Sequence, residues 1–345
     1  MRSFGSDNNS GASSEVLAAL AAANVDHAIG YGDDPWTART RELFAEEFGP
    51  GAEAFLVLNG TGANVLALSL AAGPATCVLC GEGAHIDVDE TGAPEAAGIK
   101  VLPLESRRGK VLPEALREAL GAIGTVHSAQ PSCLSISQPT ELGAVYAKAE
   151  IEELARIAHE AGILVHMDGA RIANAAVALG LPFRAFTVDA GVDLLSFGGT
   201  KNGILFGEAL LVFRPELAKR APYLRKARLQ LASKMRFIAA QYEAYLRGGL
   251  WRRNAEAANA AAARLAGLAR GIPGVELVGE VETNALFARL DPAAAERLRA
   301  EYFFYDWEGG LVRWMTSFDT TEADIQGFAA ALARALARGP AEARA

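Results

Sequence analysis

ILVHMDGARIANAAVALG, residues 163–180, and DLLSFGGTKNG, residues 193–203, together read as strand, helix and strand. Each apolar run is short and ends in a polar or glycine-rich turn, whereas RIANAAVALG between them repeats apolar residues at helical spacing. A helix of that length carries the chain back across a sheet, so the two strands are expected to lie parallel. Both runs are mostly apolar, as in strands covered on both faces. Both end in reactive side chains: Asp168-Gly169-Ala170-Arg171 follows the first, and Gly198-Gly199-Thr200-Lys201 follows the second.

The same alternation extends over the first two thirds of the chain. Further strands are expected at AFLVL (54–58), TCVLC (76–80), KVLPL (100–104), CLSIS (133–137) and EALLVF (208–213). GANVLALSLAA, LPEALREALGAI and KAEIEELARIAHEAG supply helices between most of them. The pattern predicts an α/β fold with a mostly parallel seven-stranded sheet. Only ten residues separate 193–197 from 208–213, too few for a crossover helix, so that pair is expected to be antiparallel. Pro215 to Tyr245 reads as one long helix, and 251–270 as another. VELV, ALFARL and LVRWMTSF, with helices at 292–300 and 321–337, form a small α/β unit. The division is therefore 1–248 for an N-terminal segment with the large domain and 249–345 for a small C-terminal domain. The tail after Gly339 reads as a charged, frayed end.

Composition narrows the function classes. A chain of 345 residues with 51% hydrophobic and 21% charged residues is long and apolar enough for a large core. Lys plus Arg number 33 against 41 Asp plus Glu, a net charge of −8 that offers no basic surface to a nucleic acid. MRSFGSDNNSG lacks the apolar segment of a secretion signal, and no apolar run has the length of a membrane span. Cys77, Cys80 and Cys133 make an odd number and no disulfide framework, so a cytoplasmic protein is expected. Cys77 and Cys80 form C-x-x-C within a strand, where residues three apart face opposite sides; they read as core, and no metal site is expected.

In open parallel sheets, ligands bind beyond the carboxyl ends of the strands. Lys201 is one of seven lysines and the one that follows a buried-looking strand; it reads either as a Schiff-base amine or as a solvated loop residue. Asp168 reads as the carboxylate partner of a buried cation, such as a protonated pyridine nitrogen, or as a helix cap. Gly60-Thr61-Gly62 opens a helix after AFLVL, where free N–H groups and the helix dipole suit a phosphate. His85 follows the next strand and reads as a ring-stacking residue and proton carrier or as a structural histidine, with His127 a second candidate acid/base.

In chain order Gly60–Gly62, His85, Asp168 and Lys201 resemble the large domain of fold-type I pyridoxal 5'-phosphate (PLP) enzymes. More narrowly, the sequence resembles the low-specificity bacterial L-threonine aldolases of the β-eliminating lyase superfamily. The likeness runs through FGSDNNSGASSEVLAAL, YGDD, NGTGANVLAL, HIDVDETGAPE, SQPTELGAVY, HMDGARIANA, SFGGTKNG, SKMRF and LVRWMTSF. It implies PLP on Lys201, its ring nitrogen on Asp168, its ring under His85 and its phosphate on Gly60, Thr61, Gly62 and Ala63, with Arg171 and Gln138 nearby. It implies a substrate carboxylate held by Ser6, Arg171 and Arg313, with Asp7 and Tyr31 lining the site and His85, or else His127, acting as base. The implied reaction cleaves L-threonine, L-allo-threonine or a related β-hydroxy amino acid to glycine and an aldehyde. A dimer-based homotetramer is also implied; the helix LRKARLQLASKMRF reads either as a charged solvated face or as the source of Lys226, Lys234 or Arg236 for a neighbour's phosphate. Gly5-Ser6-Asp7-Asn8 and Ser137-Gln138-Pro139-Thr140 depart from the R-S-D-T and E-N-T-H of many members. A phenylserine-type aldolase or another PLP-dependent β-eliminating lyase therefore stays open as an alternative.

Overall fold

A computed structural model describes residues 2–337; the charged tail after Gly339 lies outside the described residues. Its strands are β1 (Glu53–Val57), β2 (Thr76–Gly81), β3 (Lys100–Leu104), β4 (Ser106–Arg107), β5 (Lys110–Val111), β6 (Gln130–Ser137), β7 (Leu164–Gly169), β8 (Leu194–Phe197) and β9 (Glu208–Val212), then β10 (Glu276–Leu277), β11 (Ala285–Arg289), β12 (Tyr305–Trp307) and β13 (Leu311–Met315). Seven of them form one sheet in the order β1-β9-β8-β7-β6-β2-β3. Six run one way, and β9 runs against both its neighbours, β1 and β8. All seven sheet strands fall where the apolar runs predict them. The short β8–β9 connection is antiparallel, as its ten residues require. One edge of the sheet thus collects the carboxyl ends of β1, β2, β6, β7 and β8 together with the amino end of β9.

An aromatic cluster braces this edge. Phe197, the last residue of β8, meets Phe44 at 5.4 Å and Phe183 at 5.2 Å, both edge to face. Such pairs contribute about 0.5–1.5 kcal/mol each beyond area burial. The turn that follows is tied from three sides. The Tyr242 hydroxyl donates to the Phe197 carbonyl at 3.2 Å, Gly199 N–H donates to Glu208 at 2.6 Å, and Asn202 Nδ2 donates to Tyr245 Oη at 2.7 Å. At Gly198 an added Cβ would stand 2.5 Å from the Ala170 carbonyl oxygen, so glycine is needed for the β7 and β8 turns to touch. Cys77, Cys80 and Cys133 are buried and unpaired, as the core reading of C-x-x-C expects.

The antiparallel sheet β10-β11-β13-β12 packs helices Leu250–Ala269, Pro292–Arg299 and Glu322–Ala337 around Trp314, Phe328 and Phe304. Strand alternation puts Trp314 in this core and turns Arg313 and Met315 the other way. The domain division at 248/249 falls at Gly248 and Gly249, both in left-handed conformation, but the helix that follows is shared. Its Leu250, Trp251 and Ala255 pack in the large core, and Ala261 to Ala269 in the small one.

Three further differences from the sequence reading have physical causes. The segment 215–245 is not one helix: Pro215 and Pro222 start short helices, Pro215–Ala218 and Ala221–Ala227, and Leu229 takes a positive φ before Arg236–Leu246 resumes. The N-terminal segment joins the small domain, with Phe4 in its core and the Met315 N–H donating to the Phe4 carbonyl at 2.8 Å. That pairing delivers Ser6 and Asp7 to the sheet edge. Strand β12 and the β4–β5 hairpin were too short to register as periodic runs.

Candidate active site

Two adjoining cavities open at the carboxyl edge, one of about 370 Å³ and one of about 910 Å³, and Lys201, His85 and Asn8 line both. Gly60, Thr61, Ala63, Asp168 and Glu208 line the first; Ser6, Arg171, Arg313, Glu141 and Trp307 line the second.

At the first cavity, helix Gly60–Ala71 begins directly after β1. The Asn59 side chain caps it by accepting the Gly62 N–H at 2.7 Å, and the Ala63 N–H bonds to the Asn59 carbonyl at 3.0 Å. The Gly60 and Thr61 N–H groups are left without an intrahelical partner at the positive end of the helix dipole, a fit for phosphate. Ala63 lines the cavity without offering its N–H. Gly62 faces away from the cavity, and an added Cβ would stand 2.2 Å from Gln230 Cδ, the residue that accepts the Leu58 N–H at 3.0 Å.

Asp168, the fifth residue of β7, is buried. It accepts from Asn64 Nδ2 at 2.8 Å and from the Ala170 N–H at 2.9 Å. Burial pushes its pKa up, but His85, Lys201 and the two hydrogen bonds outweigh that and hold it below the usual carboxylate range. Among the described residues no cation touches it, so an ionised carboxylate faces the cavity in need of one. Lys201 likewise forms no ion pair. Burial and the Arg171 charge depress its pKa, although Asp7, Asp168 and Glu208 act in the opposite sense, so it loses its proton more readily than a solvated lysine. A phosphate cradle, a carboxylate lacking a cation and a lysine with lowered pKa fit PLP.

Sequence reasoning missed the brace behind His85. His85 Nδ1 meets buried Glu90 at 3.0 Å, and Asn64 Nδ2 donates to Glu90 at 2.8 Å as well as to Asp168. The Glu90 hydrogen bond is the main cause that raises the His85 pKa, against burial. His85 Nε2 lies 3.6 Å from Asp89. The ligand atoms of His85, Glu90 and Asp168 fall within 4.8 Å of one another, but the Asn64 amide already serves both carboxylates, a donor that a cation would oppose. A lone asparagine in the apolar helix GANVLALSLAA was the available signal; nothing marked Glu90.

In the second cavity the two arginines differ. Asp7 grips Arg171 through Nε at 2.7 Å and Nη2 at 2.9 Å, and Asn284 holds Asp7 at 3.0 Å. Asp7 is therefore spent on orienting Arg171 and lines neither cavity, and Arg171 lines the second cavity rather than the first. Arg313 bonds only the Gly5 carbonyl at 3.1 Å and lies 4.4 Å from the Trp307 ring, with its Nε buried and unpartnered among the described residues. Burial, then the Arg171 charge, pushes its pKa down to about 10. A carboxylate arriving here would relieve both effects. Ser6 lies beside them, its hydroxyl accepting from Asn8 N–H at 3.1 Å.

Three residues expected in the chain's own site, and two expected to reach a neighbour's, stand elsewhere. His127 is exposed in the turn before β6, and β6 runs toward the site, so His127 sits at the opposite edge, some 26 Å of strand away (about 3.3 Å for each of eight residues). Gln138 is buried with both ends of its amide on the Tyr146 backbone, each at 2.9 Å; it braces the 138–146 loop and does not face the cofactor cavity. Tyr31 lies outside the crevice of its own chain, 53% exposed, with Lys226 over its ring. Lys234 is exposed, and Arg236 donates to the Val25 and Asp26 carbonyls.

Compared with known proteins, residues 3–300 match the model of the β-eliminating lyase family. The chain is 43% identical to the low specificity L-threonine aldolase of Pseudomonas sp. over 95% of this chain and 96% of that one. It is 42% identical to that of Pseudomonas aeruginosa over 92% and 93%. The solved Leishmania major threonine aldolase superposes with a TM-score of 0.91 at 29% identity, covering 97% of this chain and all (100%) of that one. Aspartate aminotransferase from Thermus thermophilus, at 18% identity and a TM-score of 0.70, shares the fold. Fold and site thus define a PLP-dependent enzyme of fold type I, and the chain belongs to the β-eliminating lyase family. Within it, its most similar relatives cited here are low specificity L-threonine aldolases.

Proposed function

We propose that this chain is a carbon–carbon lyase that uses PLP to cleave L-threonine, L-allo-threonine and related L-β-hydroxy-α-amino acids reversibly to glycine and an aldehyde. The observation that carries the reading is one crevice holding three groups unmatched among the described residues: Asp168 without a cation, Lys201 without an anion and Arg313 without a carboxylate. When bound, PLP supplies an electron sink for the pair released from Cα. Asp168 would pair with the protonated ring nitrogen. Lys201, neutral over a wider pH range than a solvated lysine, would hold the cofactor through its aldehyde carbon. Gly60 and Thr61 would hold the phosphate, and His85, held by Glu90, would face the ring. Arg313, with Arg171 and Ser6, fixes the substrate carboxylate, and Asp7 and Asn284 keep Arg171 in place.

Purified protein supplied with PLP is expected to release acetaldehyde from L-threonine and none from D-threonine, measured by coupled reduction of the aldehyde. Equal inertness toward both would overturn the reading. Arg313→Leu is expected to lower kcat/KM for L-threonine on the order of 30- to 1,000-fold, chiefly through KM, because a charge-assisted pair to a partly buried carboxylate is lost. PLP binding should stay unchanged, since Arg313 lies outside the cofactor cavity.

We also infer a homotetramer built from dimers. Exposed Ile29, Leu205, Phe206, Tyr223 and Leu229 offer apolar surface for a second copy. Lys201 is the one lysine or arginine lining the cofactor cavity among the described residues, which leaves room for a neighbour's Lys226 or Lys234 at the phosphate. Three buried unpaired cysteines suit a reducing compartment such as the cytoplasm, and no helix among the described residues is long and apolar enough to cross a membrane.

A further inference from the structure

Glu141 lies just past β6, in a loop whose closure is set by Gln138 and Tyr146. Its Oε1 accepts the His85 backbone N–H at 3.0 Å and the Ser137 hydroxyl at 2.8 Å. The next residue, Leu142, packs against the small-domain face that carries Phe287 and Met315. Side chain and loop are therefore fixed from both domains. Glu141 lines the substrate cavity together with Arg171, Arg313, Lys201 and His85, yet no ion pair among the described residues uses it. Two donors orient Oε1, and Oε2 is left for a substrate group.

Resting on the functional reading above, we infer that Glu141 is the base that takes the proton from the substrate β-hydroxyl. His85 stands next to it but is less suited: both ring nitrogens already face carboxylates, Glu90 at 3.0 Å and Asp89 at 3.6 Å. Burial and the Asp168 charge raise the Glu141 pKa above the usual carboxylate range, against the Ser137 and His85 hydrogen bonds, which makes it a stronger base than a solvated glutamate. In the step, Oε2 bonds to the hydroxyl proton, and the O–H pair becomes the second C–O bond of the aldehyde. The Cα–Cβ bond breaks and leaves its pair on Cα, for which PLP, when bound, would supply the electron sink. A proton from water then completes glycine, and Glu141 returns its own proton to water in the open crevice. Nothing is oxidised or reduced overall.

Glycine separates this role from a structural one, because it shares every other contact and has no β-hydroxyl. In Glu141→Gln, cleavage of L-threonine is expected to fall about 100- to 10,000-fold. The dissociation constant for glycine, read from the absorbance of the loaded protein, and the exchange of its α-proton into deuterated water are expected to change less than about threefold. Glu141→Asp should recover part of the cleavage rate. Unchanged cleavage in the Gln variant would overturn the assignment, and so would a parallel loss of glycine affinity and exchange, which would make Glu141 a structural brace. Wild-type protein that exchanges glycine yet releases no aldehyde would overturn the functional reading, and the assignment with it.

Discussion

Lys201→Ala is expected to reduce threonine cleavage by at least ~10,000-fold, the scale of losing a pre-positioned nucleophile rather than a binding contact. The neighbouring lysines offer no replacement: Lys226 and Lys234 are exposed and stand outside the crevice. The turn should survive the substitution, because Phe197, Gly199 and Asn202 hold it through Tyr242, Glu208 and Tyr245 without any contribution from the lysine amine. The variant should also keep measurable affinity for PLP through Gly60 and Thr61. Borohydride reduction followed by peptide mass analysis separates the possibilities. Wild type should carry the cofactor on the Lys201 peptide, and the variant on no peptide. A variant that retains more than about a hundredth of the activity would contradict the assignment of Lys201.

Asp168→Asn is the second large effect, an expected fall of about 100- to 5,000-fold in kcat, from removing one partner of a buried ion pair worth roughly 3–5 kcal/mol. The fold should tolerate the change. The new amide oxygen can keep one of the two donors, the Ala170 N–H or Asn64 Nδ2, so the change costs one hydrogen bond and leaves the Asn64–Glu90 contact in place. KM for threonine should move little, since the proposed carboxylate receptors, Arg313, Arg171 and Ser6, line the second cavity and Asp168 lines the first. Stopped-flow comparison of wild type and variant distinguishes a loss in the chemical step from a loss of cofactor. Full activity in the Asn variant would remove Asp168 from the ring nitrogen.

Both residues were legible because each follows directly on an apolar run long enough to be read as a buried strand. The position then carries the chemistry, for anything just past the carboxyl end of a parallel strand faces the crevice. The same rule explains His127, which precedes its strand and so lies at the far edge. It also reached Gln138 but stopped three residues short of Glu141, because a buried amide that closes a loop and one that faces a ligand look alike in sequence. Glu90 gave no local signal; its importance arises from Asn64, 26 residues earlier, donating to it across the cavity floor. Asp7 was read as a site lining, but the N-terminal strand-like pairing with β13 makes it the anchor of Arg171 instead. Long-range partnerships of this kind have no periodicity for a sequence to display.

The most direct measurement is the visible absorption of the protein reconstituted with PLP, before and after glycine is added. The structure predicts a yellow band distinct from that of free PLP, lost in Lys201→Ala, that gives way to a longer-wavelength band when glycine binds. A spectrum that stays that of free PLP and ignores glycine would contradict the account at its centre, leaving Asp168, Lys201 and the phosphate cradle to some other ligand.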